Sequence, residues 1–395
     1  MSREDISKFA NEINFPEELI LYLMKFFNFE RLKSIIIHLK KPPKFYSIRV
    51  NTLKTSTEKV YDSLIRLGLE VYMHPKLKEA ILIGLKGPYP IEKVGKNVIV
   101  DKNAAESVYI GADLYAPGVI SAKDVKRGDL VTVICETGIP VANGIAMQNE
   151  NEIMDIRRGL AVKVLNSVYK CPSIRSLDEY MRGEIYEQSI PSMLTSIVLE
   201  PKPYEVIVDM CAAPGGKTTH IAQLTLDKAK IFAFDNSLSK VEKLKENVYR
   251  LNIKSVHIAH ADSRYLHVDY PHLKANKVLL DPPCSALGVR PKLFERKTFK
   301  DIISCVKYQL QFFKPAVEIL TKGGILVYST CTITPDENEL VVDYVLKNYP
   351  LELEEQILYL GTHGLDIITK SNMLQRFYPD EHDTPGYFIA KFVKI

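Results

Sequence analysis

The chain has 395 residues, which is more than one ordinary hydrophobic core organises, so two or three domains are expected. Hydrophobic residues make up 46% of the chain and charged residues 25%, a balance that excludes a disordered or fibrous protein. The net charge of +4 is concentrated in residues 1–94, which hold 16 basic and 11 acidic residues. No apolar run approaches the roughly 20 residues that span a bilayer, and no secretory signal is evident. We therefore expect a cytoplasmic protein without membrane contact.

The first two parts of the chain differ in pattern. Apolar residues at helical spacing predict a helical region over 16–40, and residues 47–86 predict a strand, a helix and a strand. Residues 95–170 form short β-like runs separated by Gly and Pro, such as DLVTVIC and LAVKVL. Short strands at regular spacing predict a small β-barrel.

A basic stretch with two aromatic residues lies near the amino terminus. Between Arg31 and Thr57 there are seven basic residues and no acidic residue, and Phe45 and Tyr46 lie among them. Basic groups neutralise phosphates and aromatic rings stack on bases. This stretch is therefore either a nucleic-acid surface or a solvated basic face beside the turn that Pro42 and Pro43 mark.

From residue 172 onward, apolar strands alternate with amphipathic helices, which predicts a doubly wound α/β domain around a buried parallel sheet. The predicted strands are 206–210, 231–235, 256–260, 277–281 and 325–329. The predicted helices cover 178–199, a segment from 217, and 238–251, 301–320 and 336–347.

The carboxyl ends of the first three strands predict a nucleoside cofactor site. The first strand continues into the small-residue loop CAAPGGKTT. A phosphate-binding P-loop has a second glycine five residues before the Gly of its GKT motif, and here that position, 211, is Cys, so the loop is not a P-loop. Asp209, Asp235 and Asp262 follow successive strands, where acids suit ribose hydroxyls, an adenine amino group and a cation. S-adenosylmethionine carries a sulfonium and an ammonium group, so its charge matches. The alternative is that these acids are helix caps or surface groups.

The next two strands deliver cysteines to the same edge of the sheet. Asp281-Pro282-Pro283-Cys284 follows the fourth strand, and Cys331 follows the fifth. A thiolate that adds to carbon 6 of a pyrimidine makes carbon 5 nucleophilic enough to take a methyl group. Asp281 is placed to stabilise the charge on the ring. Amine-methylating enzymes carry an aromatic residue where Cys284 stands, and spacing alone leaves open which cysteine attacks.

Long motifs of the chain resemble a known family. CAAPGGKTTHIA, LLDPPCSALGVR, VYSTCTITPDENE and RFYPDEHDTPGYFIAKF look like the Nol/Nop/Sun RNA (cytosine-5) methyltransferases. PPKFYSIRVNTLK is similar to the amino-terminal module of that family, and GADLYAPGVI with KRGDLV resembles a PUA domain, a small RNA-binding β-barrel. A PUA domain in this position is similar to one subfamily, which methylates a tRNA acceptor-stem cytosine just 5′ of the discriminator base.

The resemblance implies an architecture and a set of residues. The expected fold is a Rossmann-like methyltransferase domain (171–395), an inserted PUA domain (95–170) and an amino-terminal α/β, RNA-recognition-like module (1–94). It implies that Cys331 attacks the base and Cys284 helps to release the product, with Asp281 and Lys217 facing the target base. The implied contacts to S-adenosylmethionine are Cys211, Ala212, Ala213, Pro214, Gly215, Gly216, Lys217, Asp235, Asp262 and Asp281. The candidate RNA contacts of the PUA domain are Tyr115, Lys123, Asn143 and Arg157.

Several alternatives remain at this point. The target is tRNA or, as an alternative, rRNA, and an inactive RNA-binding scaffold is a third interpretation that the intact cysteines disfavour. Four histidines between His257 and His272 lack the spacing of a zinc site, so no metal is expected. Arg290 and Lys292 either contact phosphate or are solvated. We expect a monomer.

Overall fold

The computed structural model describes residues 2–395 and begins with three helices, α1 (Arg3–Ile13), α2 (Glu17–Leu23) and α3 (Phe29–Leu39). The helical region predicted over 16–40 is therefore divided, and Asn28 starts its second part because its side chain accepts a hydrogen bond from the Arg31 amide. The apolar faces of these helices pack with residues from the far end of the chain, including Ile302 and Tyr378. The amino-terminal helices are thus attached to the α/β domain.

A four-stranded antiparallel sheet follows these helices. It contains β1 (Phe45–Val50), β2 (Val71–Met73) and β3 (Ala80–Gly84), with α4 (Thr57–Arg66) between the first two strands. Its fourth strand comes from much later in the chain, because Ile185–Glu187 pairs with β1.

The next sheet has six strands and its own apolar core. Its strands are β4 (Lys96–Val100), β5 (Leu114–Tyr115), β6 (Val119–Ser121), β7 (Leu130–Cys135), β8 (Pro140–Ala146) and β9 (Leu160–Ser167). The sequence predicted only strands here, but α5 (Lys102–Tyr109) lies between β4 and β5. Asp101 starts this helix by accepting a hydrogen bond from the Ala104 amide, and Ala105 and Val108 bury its inner face.

The single helix predicted over 178–199 is wrong. The segment instead forms α6 (Asp178–Met181), the strand β10 (Ile185–Glu187) and α7 (Ile190–Val198). Gly183 lies between α6 and β10 with φ +71°, and a Cβ there would come within 1.9 Å of the Arg250 carbonyl oxygen. The glycine allows the chain to leave the helix, and pairing with β1 then fixes the strand.

The remaining chain forms a Rossmann-like α/β domain around a mixed nine-stranded sheet. Strands β11 to β15 are parallel, in the order β13-β12-β11-β14-β15, and β19 continues the sheet antiparallel to β15. These strands are β11 (Val206–Asp209), β12 (Lys230–Asp235), β13 (Val256–His260), β14 (Ala275–Leu280), β15 (Leu320–Thr330), β16 (Leu351–Leu353), β17 (Thr362–His363), β18 (Gln375–Phe377) and β19 (Tyr387–Lys394).

Helices cover both faces of this sheet. They are α8 (Gly216–Leu224), α9 (Leu238–Arg250), α10 (Leu266–Asp269), α11 (Phe299–Leu310), α12 (Phe313–Ile319), α13 (Glu339–Asn348) and α14 (Pro379–His382). Successive strand residues point to opposite faces, so Val208 and Leu280 belong to one apolar core and Ile207 and Leu279 to the other. The strand order reverses between β11 and β14, and this switch point is where ligands bind in open α/β sheets.

The three sheets provide a basis for dividing the chain. We propose the three units 1–94, 95–170 and 171–395, with β10 of the third unit completing the sheet of the first. Within residues 2–395, no helix is both long enough and apolar enough to span a membrane.

Candidate active site

The loop after β11 is built to approach a ligand closely. Gly215 caps α8 with φ +110°, and a Cβ there would lie 2.7 Å from Leu244 Cδ1, so only glycine fits without a shift. Asp209 supports the loop from beneath, because the Thr218 hydroxyl donates to its Oδ2 at 2.6 Å and the Cys211 amide donates to its Oδ1 at 3.3 Å. Burial raises the pKa of Asp209 to about 7. Both carboxylate oxygens of Asp209 thus accept hydrogen bonds from the loop and the helix that follows it.

A cavity of about 210 Å³, called here the cofactor cavity, lies at the carboxyl ends of the parallel strands. It brings the predicted cofactor acids of β12 and β13 together with both strand-end cysteines. Its lining residues are Met210, Cys211, Ala213, Asp235, Asn236, Lys240, Asp262, Ser263, Asp281, Pro282, Pro283, Cys284, Ala286, Tyr308, Phe312 and Cys331. Tyr308 and Phe312 were missed by the sequence analysis, because nothing in the chain near them marks α11 and α12 as covering the cavity.

The two acids of this cavity are held differently. Asp235 accepts hydrogen bonds from the amides of Ala213 and Ser237, which fix it at the end of β12. Asp262 is bound by Arg264, whose Nε lies 2.9 Å from its Oδ1, and hydrogen bonding to Arg264 lowers the pKa of Asp262. Acids at the ends of β12 and β13 fit the ribose hydroxyls and the adenine amino group of S-adenosylmethionine.

A second cavity of about 210 Å³ lies next to the cofactor cavity and shares Cys211, Ala213 and Asp281 with it. We call it the base cavity, because Lys217 and Asp281, which the sequence resemblance implies face the target base, line it. Ala212, Pro214, Gly216 and Lys217 line only this second cavity, whereas Gly215 lines neither and serves as the helix cap. The predicted cofactor loop is thus divided between the two cavities. The structure places Lys217 on the side away from Asp235 and Asp262.

Asp281 is the centre of a polar cluster between the cavities. Lys217 Nζ lies 2.5 Å from its Oδ2, the Ser329 hydroxyl donates to its Oδ1 at 2.7 Å, and the Tyr387 hydroxyl lies 3.3 Å from the same oxygen. Although burial disfavours its charge, the contact with Asp281 raises the pKa of Lys217, so the amine is cationic. Tyr387 was missed by the sequence analysis because β19 reaches this site only through its pairing with β15.

The two cysteines lie side by side over the sheet. Their Sγ atoms are 3.3 Å apart, with Cys284 in the loop after β14 and Cys331 directly after β15. A hydrogen bond from the Cys284 thiol lowers the pKa of Cys331, whereas this bond and burial raise the pKa of Cys284. Cys331 is therefore the better nucleophile of the pair.

The loops that carry the cysteines are also bonded to each other. The Ser285 hydroxyl lies 2.8 Å from the Thr332 hydroxyl, and the Gly288 amide donates to the Cys331 carbonyl at 3.0 Å. These bonds hold the two thiols in register without a disulfide.

Comparison with known proteins identifies the family. Residues 196–393 match the family model described as 16S rRNA methyltransferase RsmB/F, and residues 96–168 match the PUA domain. The chain belongs to the RsmB/F (Nol/Nop/Sun) family of RNA cytosine-C5 methyltransferases.

Relatives within this family cover nearly the whole chain. It is 44% identical to the tRNA (cytosine(72)-C(5))-methyltransferase of Pyrococcus horikoshii, over 96% of this chain and 97% of that protein. It is 32% identical to human tRNA (cytosine(72)-C(5))-methyltransferase NSUN6, over 99% and 97% of the two chains. The crystal structure of NSun6 from Pyrococcus horikoshii with SFG is similar at a TM-score of 0.88 and covers 96% of this chain and 98% of that one.

The predicted RNA contacts of the PUA domain lie in different environments. Tyr115 is 60% exposed, and Arg157 is nearby because its guanidinium donates to the Pro117 carbonyl at 2.7 Å. Lys123 is exposed. Asn143 is half-buried, and its amide already donates to the Glu92 carbonyl and accepts from Thr132. Tyr115 and Lys123 are thus exposed, whereas the side chains of Asn143 and Arg157 already have hydrogen-bond partners within the domain, and all four stay predictions.

Two basic residues after Cys284, which were predicted to contact phosphate or solvent, are instead buried against other parts of the protein. Arg290 is buried and donates to the carbonyls of Lys41 and Pro42 at 2.7 and 2.9 Å, and Lys292 is buried with Glu295 at 3.1 Å. Both interpretations of these residues are wrong, because the chain folds back over them. Among residues 2–395, no three His, Cys, Asp or Glu side chains are grouped as metal ligands.

Proposed function

We propose that the protein is a tRNA (cytosine-C5) methyltransferase that takes its methyl group from S-adenosylmethionine. The observation that carries the proposal is the cysteine pair, 3.3 Å apart, in one cavity with Asp235 and Asp262 and beside the Lys217–Asp281 pair. The relatives named as tRNA (cytosine(72)-C(5))-methyltransferases support an acceptor-stem cytosine as the target. The bound SFG of the Pyrococcus horikoshii structure, an analogue of S-adenosylmethionine, supports the cofactor.

The proposed reaction begins with Cys331. Its thiolate adds to carbon 6 of the cytosine, which forms an S–C bond and moves the electron pair of the 5,6 double bond toward carbon 5. Asp281, positioned by Ser329, accepts a hydrogen bond from the exocyclic amine of the cytosine and orients the ring. Lys217, cationic and held against Asp281, supplies positive charge on the same side of the ring and stabilises the charge that develops there.

The second half of the reaction releases the product. When bound, S-adenosylmethionine supplies the methyl group that carbon 5 takes. Loss of the carbon 5 proton to solvent then restores the double bond and expels the Cys331 thiolate, and the Cys284 thiol, 3.3 Å away, donates a hydrogen bond that stabilises the departing sulfur. We therefore assign attack to Cys331 and release to Cys284.

The proposal is tested by methyl transfer from labelled S-adenosylmethionine to total tRNA and to rRNA, with the methylated nucleotide mapped by bisulfite sequencing. We expect label on an acceptor-stem cytosine and no label with Cys331→Ala. Label on rRNA alone would support cytosine methylation by this protein but would reject tRNA as its substrate. The family model's description as a 16S rRNA enzyme makes this second arm necessary. No label on either RNA would favour an inactive scaffold.

The roles of the two cysteines are separated by covalent trapping. Cys284→Ala should accumulate a covalent RNA complex that survives denaturing electrophoresis, because attack proceeds and release does not. Cys305→Ala is the matched control, since Cys305 is a half-buried cysteine on α11 whose pKa is raised by burial to about 11. A bound complex in Cys331→Ala, or none in Cys284→Ala, would contradict the assignment.

A further inference from the structure

A cavity of about 620 Å³ lies where the amino-terminal sheet, the α/β domain and its carboxyl-terminal segment meet. We call it the flank pocket, and define it by Phe45, Tyr46, Leu82, Tyr359 and Phe377, which line it. Its volume lies within the roughly 300–1,000 Å³ that small-ligand sites occupy, and its aromatic lining is of the kind on which bases stack. The flank pocket thus has the size and the surface to hold a flat ring.

The flank pocket adjoins the active site. Glu187, Gln188 and Ser189 line both the flank pocket and the base cavity, and the base cavity in turn shares Asp281 with the cofactor cavity. The three cavities therefore form one row that leads from Phe45 to Cys331. When the target base of an RNA lies beside Cys331 at one end of this row, a nucleotide next to it in the RNA lies toward the flank pocket at the other end.

The charges around the flank pocket favour a nucleotide. Three of its acidic residues already have partners: Glu187 pairs with Arg175 at 2.9 Å, Glu381 pairs with Arg31 at 2.7 Å, and Asp383 accepts from the Lys44 amide and from Arg290. The side chains of Lys41, Lys44 and Lys76 are exposed, and Lys76 lines the pocket itself. The acids are thus neutralised within the protein, while the exposed lysines are available to neutralise the phosphates of an RNA.

We propose that the flank pocket binds one unstacked base of the substrate RNA, a neighbour of the cytosine that is methylated. The proposal rests on the proposed function, because it requires an RNA that presents its target base to Cys331. A base that leaves the helical stack takes stacking away from its neighbour, and an aromatic pocket replaces the lost surface. Phe45 and Tyr46, which the sequence placed within a basic stretch, then contact a base and not only a phosphate.

The test is a double-mutant cycle in which the Phe45 ring and the base beside the target cytosine are removed separately and together. The RNA is a tRNA transcript that the wild type methylates, made with an abasic nucleotide at the 5′ or the 3′ neighbour of the target. At one of these positions, loss of the base should raise the Kd of the wild type about tenfold, within the range measured for one stacked base. Phe45→Ala should raise the Kd for intact RNA by a similar factor. The abasic RNA should bind Phe45→Ala almost as well as intact RNA does.

Matched variants separate stacking from damage to the fold. Phe45→Trp should keep wild-type binding, because it retains a stacking face. Tyr249→Ala, which removes an 87% exposed aromatic ring on α9, should leave the Kd for intact RNA unchanged. In this variant, loss of the neighbouring base should still raise the Kd about tenfold, as in the wild type. If Phe45→Ala does not fold, as judged by S-adenosylmethionine binding, Leu82→Ala is used in the same cycle.

The outcomes distinguish this proposal from the proposed function. If the two tenfold rises in Kd multiply, Phe45→Ala will bind the abasic RNA about a hundredfold more weakly than the wild type binds intact RNA. This result would reject the flank pocket as a base site, while the proposed methylation of tRNA would stand. If only rRNA is methylated, the tRNA proposal fails and the same cycle is run with a fragment around the rRNA target. If no RNA is methylated, both proposals fail.

Discussion

The Cys284 and Cys331 thiols differ in acidity although they lie 3.3 Å apart. Because Cys284 donates the hydrogen bond, the pKa of Cys331 is lowered, and we expect Cys284→Ala to raise it. Only the thiolate is alkylated at an appreciable rate, so the pH midpoint for iodoacetamide labelling of Cys331 should move upward in the variant. Mass spectrometry of the labelled peptide at a series of pH values measures this midpoint. Cys305→Ala should not move it, and an unchanged midpoint in Cys284→Ala would show that the hydrogen bond does not set the acidity.

The active-site residues predicted from the sequence share one property, which is that they lie at or shortly after the ends of apolar strands. Asp281 and Cys331 were placed at one edge by strand ends alone, and the structure brings them together. Arg49 and Tyr387 could not be predicted this way, since each acts on a segment far along the chain. Arg49 is buried and donates to the Gly216 carbonyl at 2.6 Å, which links β1 to the cofactor loop. Only the pairing of β1 with β10 shows that this arginine faces the loop.

At the scale of elements, β18 and α13 are joined by a buried ion pair. Arg376 Nε donates to Glu339 Oε1 at 2.6 Å, and the guanidinium also donates to the Ile333 carbonyl at 2.9 Å. Arg376→Met leaves the Glu339 carboxylate buried without its cation. We therefore expect the free energy of unfolding to fall by roughly 3–5 kcal/mol, as measured by urea denaturation.

Two further variants show whether this loss comes from the uncompensated charge. Replacing both partners, as Glu339→Leu with Arg376→Met, should destabilise less than the single change, because no buried charge is left alone. Lys347→Met breaks an exposed pair with Asp343 on α13 and should cost less than about 1 kcal/mol. A single variant as stable as the wild type would mean that the buried pair contributes little.

The elements that the sequence predicted well are those with long apolar runs. The parallel strands β11 to β14 begin and end within two residues of their predicted positions. Strands β11, β12 and β14 are buried over most of their length, whereas β13 is a partly exposed edge strand. The helix α5 was missed because it is short and lies among strands, and its clearest local signal is the capping Asp101. The strand β10 was missed because nothing near it in sequence defines its partner, which lies more than 130 residues earlier in β1.

At the scale of the whole molecule, the proposed units share cores and are not joined by linkers alone. Helices α1 to α3 pack against Leu287 and Ile333 of the α/β domain. The loop that follows Cys284 in turn inserts Leu293 and Phe294 into the apolar core of the PUA domain. The catalytic loop and the PUA domain therefore cannot move independently without opening this core.

This shared core predicts separate effects on RNA and on cofactor binding. Phe294 is buried in the PUA core, and Phe294→Ala removes contacts worth about 3–5 kcal/mol in such sites, which loosens the PUA domain from the catalytic loop. We expect the Kd for the substrate RNA to rise at least tenfold, while the Kd for S-adenosylmethionine, measured by calorimetry, stays within about twofold. Tyr265→Ala, which removes a 53% exposed ring from the α/β domain, is the control. Equal loss of both affinities in Phe294→Ala would show that the loop supports the cofactor site, and loss of neither would show that RNA binding does not depend on how the PUA domain is held.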